Sequence, residues 1–257
     1  MTKMKVILTG ATGFIGTEIL EQLIAHKYIT HIYALTRKEL DAKFSTHAKV
    51  TQLLHPDFSQ YPESLLAQLK GYGVEGCIWS LGGKHADYKS KEEAEKVGIS
   101  FPVQAAEIFA KYLATELDPL APPNKQKFPF RFVFISAWGA EQDQFRALWL
   151  WNDSRKIKGA AEKGIFDVAD NAELKAGKRC FQAIALRPGV VIAKGDGLGT
   201  VITEGVSMVA VPRIAVDRLA KQAVRQVLQG GNDPNKRILE NHECLGDDWA
   251  QMNTLSM

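Results

Sequence analysis

A doubly wound parallel α/β sheet is the fold that this 257-residue sequence predicts, on three observations. Residues 5–16, KVILTGATGFIG, read as strand, tight turn and helix. Short apolar runs then alternate with stretches of helical periodicity, the pattern of repeated β–α units that puts helices on both faces of a parallel sheet. The chain is also long enough to bury a substantial core as a single domain over residues 1–257, with residues 193–257 expected to form a small C-terminal lobe on the substrate side.

The first unit carries the most information. Val6, Ile7 and Leu8 lead into Gly10, Gly13 and Gly16, and Ile19, Leu20, Leu23 and Ile24 continue as a helical stripe. Glycines so spaced let the backbone turn sharply and approach a phosphate. The helix N-terminus behind them offers free N–H groups and partial positive charge to a diphosphate. The strand in front and the helix behind separate this spacing from a chance set of glycines, leaving a ligand-free tight turn as the alternative.

The second strand, HIYALTR at 31–37, ends in Thr36, Arg37 and Lys38. An NAD site ordinarily has an acidic residue about 20 positions past the glycines to hold the ribose hydroxyls. Two cations and a hydroxyl suit a 2′-phosphate instead, which favours NADP(H); basic residues solvating a loop are the alternative.

Residues 49–55 read as a third strand. Asp57, just past it, is either an acceptor for an adenine amino group or a turn residue. A short helix at 63–70 precedes a fourth strand at 75–81, and Gly82 and Gly83 then let backbone approach a ribose or nicotinamide. A long helix over 91–112 is expected to break near Pro102. A Pro-rich loop covers 115–130 and a fifth strand 131–136. A helix is expected over 145–169, a polar loop over 171–178, and a sixth strand over 180–186, closed by Arg187-Pro188-Gly189. The apolar stretch 198–216 lacks strand alternation and is expected to border the cleft; residues after Trp249 are expected to fray.

Composition narrows the function. A net charge of +3, with no basic stripe interleaved with aromatics, argues against nucleic acid and anionic membranes as partners. No run of 18 uncharged apolar residues exists, and the early first strand predicts no secretory signal. Cys77, Cys180 and Cys244 are isolated, forming neither a disulfide framework nor a zinc or redox pair, so a cytoplasmic location is expected. The six histidines show no metal-ligand spacing, and no metal is expected.

Several stretches together resemble a known family: TGATGFIG at 9–16, WSLGG at 79–83, the VxxxxxVxxAE-like run at 97–107, FISAWGAE at 134–141, KGAAE at 158–162 and LRPGVVI at 186–192. The chain looks like an atypical, extended-like short-chain dehydrogenase/reductase with a Rossmann nucleotide-binding domain, similar to the Tat-interacting-protein-30 and nucleotide-sugar-epimerase group. The likeness spans the chain to about Ile192. It implies cofactor contacts from Gly10, Thr12, Gly13, Phe14, Ile15 and Gly16 in the turn. At the adenosine end it implies Thr36, Arg37, Lys38 and Asp57. Toward the nicotinamide it implies Ser80, Leu81, Gly82, Lys158, Pro188, Gly189 and Val190.

The family's catalytic pattern is a serine after the fifth strand and Tyr-x-x-x-Lys on the next helix. Ser136 and Lys158 match the serine and lysine, but Ser154 stands at the tyrosine position. Residues i and i+4 share a helix face, so Ser154 and Lys158 point the same way. A serine hydroxyl is a far weaker acid than a phenol and reaches less far. Tyr88 and Tyr112 belong to distant segments. His85 and Asp87 are either replacement acid–base groups or a polar loop. Trp138, Trp149 and Trp151 either line an apolar pocket or fill core.

Three functions follow. The chain is an NADP(H)-dependent oxidoreductase on an apolar small-molecule carbonyl or imine; or a non-redox isomerase, lyase or cyclase that retains a dinucleotide; or a cofactor-sensing regulator with a protein partner. A homodimer fits each of them, and fold alone does not choose.

Overall fold

The computed structural model describes residues 3–83, 87–114, 129–149, 151–177, 179–195, 211–230 and 236–246. Its centre is a sheet of seven parallel strands: β1 (Met4–Thr9), β2 (Ile29–Thr36), β3 (Val50–Leu54), β4 (Gly76–Trp79), β5 (Phe130–Ile135), β6 (Phe181–Arg187) and, from the C-terminal part, β9 (Ile238–Glu240). Their spatial order is β3-β2-β1-β4-β5-β6-β9. Strands covered on both faces read as continuous apolar runs, and β5 shows this fully: all six residues of FRFVFI are buried. A short parallel pair, β7 (Val190–Ile192) with β8 (Arg213–Ala215), stands apart.

Two helical layers cover the sheet. Helices α1 (Phe14–Ala25) and α7 (Val216–Gln229) pack on one face over an aliphatic core that includes Ile19, Leu20, Leu23, Leu219, Ala223 and Val227. On the other face lie α3 (Glu63–Tyr72), α5 (Phe101–Tyr112) and α6 (Asn152–Ala176), over a core rich in Phe58, Trp79, Phe109, Phe132 and Phe181. Short helices α2 (Ala42–Ser45), α4 (Lys91–Glu95) and α8 (Asn241–Cys244) complete the described elements.

Four expectations need amendment. The helix expected over 145–169 starts and ends later. Trp151 stands at its N-cap with φ 51, in the left-handed region, so the chain ahead of Asn152 is not helical. At the other end Ala, Glu, Leu and Lys of 172–176 are good helix formers, and the helix runs on until Gly177 ends it with φ 65. No polar loop therefore occupies 171–176. The long helix at 91–112 changes pitch instead of breaking: α4 continues as one π turn, Lys96–Ser100, directly into α5. Pro102 lacks an N–H, so the Gly98 carbonyl has no i+4 donor, and the wider turn closes with Phe101 donating to Lys96.

The fourth concerns residues 193–257. Their described helix α7 lies within the main body. The Gln22 amide donates to the Asp217 carbonyl at 2.8 Å. The buried Arg131 of β5 donates to the last carbonyls of α7, at Val227 (3.2 Å) and Leu228 (2.9 Å). Strand β9 extends the sheet beside β6. Residues 196–210 and those after 246 lie outside the described residues, so the expectations for them do not meet the structure.

Candidate functional site

In an open α/β sheet a ligand crevice forms beyond the strand ends where the winding reverses. That point here lies between β1 and β4. The turn after β1 is built by its glycines in different ways. Gly10 has φ 70, and a Cβ on it would lie 2.6 Å from the Ser80 backbone. A Cβ on Gly16 would lie 2.0 Å from the Gly10 carbonyl. Both glycines are demanded by close packing. Ser80 braces the turn, its hydroxyl donating to the Thr9 carbonyl at 2.6 Å. Gly13 differs: a Cβ there would meet only the Gly10 carbonyl, at 3.3 Å. It is the N-cap of α1, where no side chain caps the helix and no acidic residue lies in the first turn. The first N–H groups are thus left without a side-chain cap, an arrangement that suits a diphosphate.

The next part of the crevice is a cavity of about 120 Å³ lined by Gly10, Thr12, Thr36, Arg37, Lys38, Phe58 and Leu81, among others. Arg37 and Lys38 are exposed at its mouth. Gln52 holds this edge: its amide nitrogen donates to the Thr36 hydroxyl (2.7 Å) and the Lys38 carbonyl (2.9 Å), and its oxygen accepts from the Leu40 amide at 3.2 Å. Thr36 is therefore buried as a brace for the two cations. Asp57 takes the turn role. It accepts from the amide (2.9 Å) and hydroxyl (2.7 Å) of Ser59, and these bonds hold its carboxyl below the usual range. Its neighbour Phe58 lines the cavity instead.

At the other end, Lys158 and Ser154 of α6 do face one cavity, of about 20 Å³. The Lys158 ammonium donates to the Ile135 carbonyl at 2.9 Å, lies 4.8 Å from the centre of the Phe134 ring, and is 3.5 Å from where a Cβ on Gly82 would be. Burial pushes its pKa down to about 8, against the opposing pull of Glu162. The register of α6 is fixed by a glycine: a Cβ on Gly159 would lie 1.8 Å from the Glu141 carbonyl, so the KGAAE glycine lets the chain after β5 cross the helix. Arg155 Nε, donating to the Gly139 carbonyl at 2.6 Å, fastens the same crossing.

Ser136, next in sequence to the Ile135 carbonyl that Lys158 binds, has its side chain turned to a buried carboxylate. Its hydroxyl donates to the fully buried Glu162 carboxylate at 2.5 Å. Glu162 also binds Arg187 (2.6 Å and 2.9 Å) and Gln142 (3.0 Å), and Arg187 reaches Glu240 at 2.9 Å. Ser136 thus belongs to a buried polar network joining β5, α6, β6 and β9. The LRPGVV turn is likewise engaged in packing. The Pro188 carbonyl accepts from the Trp138 amide at 2.7 Å, and the Gly189 amide donates to Asn241 at 2.7 Å. A Cβ on Gly189 would lie 1.8 Å from the Pro212 carbonyl, while Val190 is exposed. None of the three tryptophans is core: Trp138 is half-buried, Trp149 is 97% exposed and Trp151 47%. His85 lies outside the described residues, and Asp87 is exposed beside Gly83.

Sequence reasoning missed Tyr88. The structure brings it to the same cavity as Ser154 and Lys158, together with Gly82, Gly83 and Gly98. The available signal was Gly98, whose absent Cβ admits Ile157: a Cβ there would be 2.4 Å from the Ile157 methyl. That contact docks the 88–100 segment on α6. Among the described residues no group of His, Cys, Asp and Glu could hold a metal, and no helix is long and apolar enough to cross a membrane.

Residues 8–66 match the family model described as male sterility protein, an NAD-binding family. A nonribosomal peptide synthetase from Aspergillus aculeatus is 42% identical over 71 residues, which is 25% of this chain and 4% of that protein's length. Among solved structures, Gre2 from Candida albicans, in complex with NADPH, superposes with TM-score 0.63 at 15% identity over 92% of this chain and 77% of that one. NADPH-bound carbonyl reductase from chicken fatty liver gives 0.63 at 19% identity over 96% and 94%. A UDP-glucose 4-epimerase from Thermotoga maritima gives 0.58 at 14% over 92% and 76%. The likeness is one of fold: this chain has the Rossmann fold of the extended short-chain reductases and epimerases.

Proposed function

We propose that this chain, with the fold of the extended short-chain reductases and epimerases, binds NADP(H) and reduces an apolar small-molecule carbonyl or imine. The observation that carries the reading is the grouping, beyond the strand ends, of the uncapped α1 N-terminus at Gly13, the cavity lined by Gly10, Thr12, Arg37 and Lys38, and the cavity lined by Gly82 and Lys158. The diphosphate would lie on the α1 amides, and the 2′-phosphate between Arg37 and Lys38. Lys158, beside Gly82, would hold the nicotinamide ribose. The bound reduced nicotinamide supplies a hydride. The chain's own residues orient the substrate and place a proton donor at its oxygen or nitrogen. Three buried, free cysteines fit the cytoplasmic location read from the sequence.

The Ser136–Glu162 bond favours one second reading. With that hydroxyl committed to the buried network and no tyrosine on α6, a non-redox isomerase, lyase or cyclase that keeps the dinucleotide as a positioning element uses the same crevice. Calorimetric titration with NADP⁺ and NAD⁺, followed by loss of NADPH absorbance across a panel of apolar aldehydes, ketones and imines, separates the readings. Tighter NADP⁺ binding with substrate-dependent oxidation is expected. Equal affinity for both dinucleotides removes the cofactor preference, and binding without oxidation moves the protein to the non-redox class.

A further inference from the structure

We propose that Tyr88 is the proton donor of this site, in place of the α6 tyrosine whose position Ser154 occupies. The inference rests on the reductase reading above. A carbonyl that accepts hydride at carbon needs a proton at oxygen, and a phenol is much the better acid for that than an aliphatic alcohol. Among the described residues lining the cavity, Tyr88 carries the phenol.

Its position is set by packing. Ser90 caps α4, its hydroxyl accepting from the Glu93 amide at 3.2 Å, and the Glu93 carboxylate accepts from the Lys89 amide at 2.8 Å. The α4 and π segment is docked through Gly98 onto Ile157, one turn of α6 from Ser154 and next to Lys158. Tyr88 thus stands on an anchored helix start, facing α6.

Its hydroxyl meets the end of β4 at a point made for it. A Cβ on Gly83 would lie 3.2 Å from the hydroxyl oxygen and 3.4 Å from the ring carbon that bears it, so the missing side chain makes room for the phenol. Gly82, the preceding residue, carries the Lys158 ammonium against it in the same way. The space between the Tyr88, Lys158 and Ser154 side chains, about 20 Å³, is the size for a single water and not for a second phenol ring.

The step balances as follows. The substrate carbon takes a hydride, with its two electrons, from the reduced nicotinamide; the C=O π pair moves to oxygen; and the oxygen takes the Tyr88 proton. The phenolate left behind, in a cavity it shares with the Lys158 side chain, then regains a proton from water. The groups facing the phenol are Lys158 from α6, Asp87 beside it, Glu93 from α4 and Arg37 from the end of β2. Burial above all, then Asp87 and Glu93, raises the phenol pKa against the Gly83 backbone and Arg37, so the acid form is the one present at neutral pH.

Tyr88→Phe keeps the ring and removes the proton. We expect turnover to fall by roughly 10²–10⁴-fold, with NADP⁺ affinity by calorimetry unchanged. A second readout is independent of turnover. In protein labelled with ¹³C at the tyrosine hydroxyl carbon, the resonance lost in Tyr88→Phe should shift when NADP⁺ is added. Wild-type turnover retained by Tyr88→Phe overturns the inference and leaves the reductase reading standing. So does a Tyr88 resonance that NADP⁺ does not move while calorimetry shows binding. Wild-type protein that binds no dinucleotide overturns both.

Discussion

The dinucleotide end of the crevice is built mainly on one stretch of chain, residues 9–38, with Phe58, Ser80 and Leu81 brought in beside it, whereas the chemical end is assembled from β4, the start of α4, the π turn and α6. At the first end the glycine turn is held largely by its own backbone: Gly13 donates to Gly10 at 2.9 Å, and Gly16 packs on the same carbonyl. At the second end the residues meet only because helices pack, through glycines at 98, 159 and 164 that admit Ile157, Glu141 and Val103. A locally built site survives changes elsewhere in the fold, while an assembled one exchanges residues between segments and keeps its shape.

The sharpest way to break the comparison is inside the glycine turn. Gly16→Ala forces a Cβ to within 2.0 Å of the Gly10 carbonyl. It should lower the thermal midpoint on the order of 10 °C, as overpacking of roughly 3 kcal/mol does. Gly13→Ala brings a Cβ to 3.3 Å from the Gly10 carbonyl and puts Ala at the N-cap of α1, so stability should fall only by about 0.5–1 kcal/mol while dinucleotide affinity drops. Calorimetry and thermal scans on both variants separate packing from binding. If both variants lose stability alike, the distinction between the two glycines is wrong.

Ser136→Ala probes whether the serine belongs to the network or to the chemistry. Removing a hydrogen bond to the buried Glu162 carboxylate should cost about 1.5–3 kcal/mol in denaturant unfolding, with turnover per folded molecule unchanged. A loss of turnover without loss of stability would return Ser136 to the catalytic set.

Arg37→Ala sharpens the other end. Loss of one charge-assisted contact, about 1.5–3 kcal/mol, should weaken NADP⁺ by roughly tenfold or more and leave NAD⁺ nearly untouched. Equal weakening of both would remove the 2′-phosphate from the account.

A further effect is one of pH. Lys158 titrates at about 8 in the folded protein against 10.5 ordinarily, so between those values the unfolded chain binds more protons and stability rises with pH. Wild type should therefore gain stability relative to Lys158→Met across that window, and its dinucleotide affinity should weaken as the ammonium is lost above about pH 8. Parallel stability curves for the two proteins would show that Lys158 is not desolvated.

Much of this was legible in the chain. Six parallel strands and the glycine turn follow from short-range signals: apolar runs bounded by Gly and Pro, and a phosphate cradle within a few residues of a strand. Lys158 and Ser154 were readable as a pair because helix periodicity alone puts i and i+4 together. The start of α6 was not, because Trp151 takes a left-handed conformation that its identity gives no reason to expect. The bond from Ser136 to Glu162 was not readable, because a hydroxyl at a strand end has the same sequence signature whether it faces a crevice or a buried glutamate.

By itself, the sequence determined the winding of the sheet, the cradle after β1, the two cations after β2 and the face shared by Ser154 and Lys158, since each depends on residues within a turn or two of one another. Only the tertiary structure decided that α7 and β9 join the main body, that Ser136 is bound by Glu162, and that Tyr88 lines the same cavity as Lys158. Those outcomes depend on which side chains are small where two elements cross, and on which buried charge claims a hydroxyl. Such contacts carry no periodicity, so no local pattern announces them.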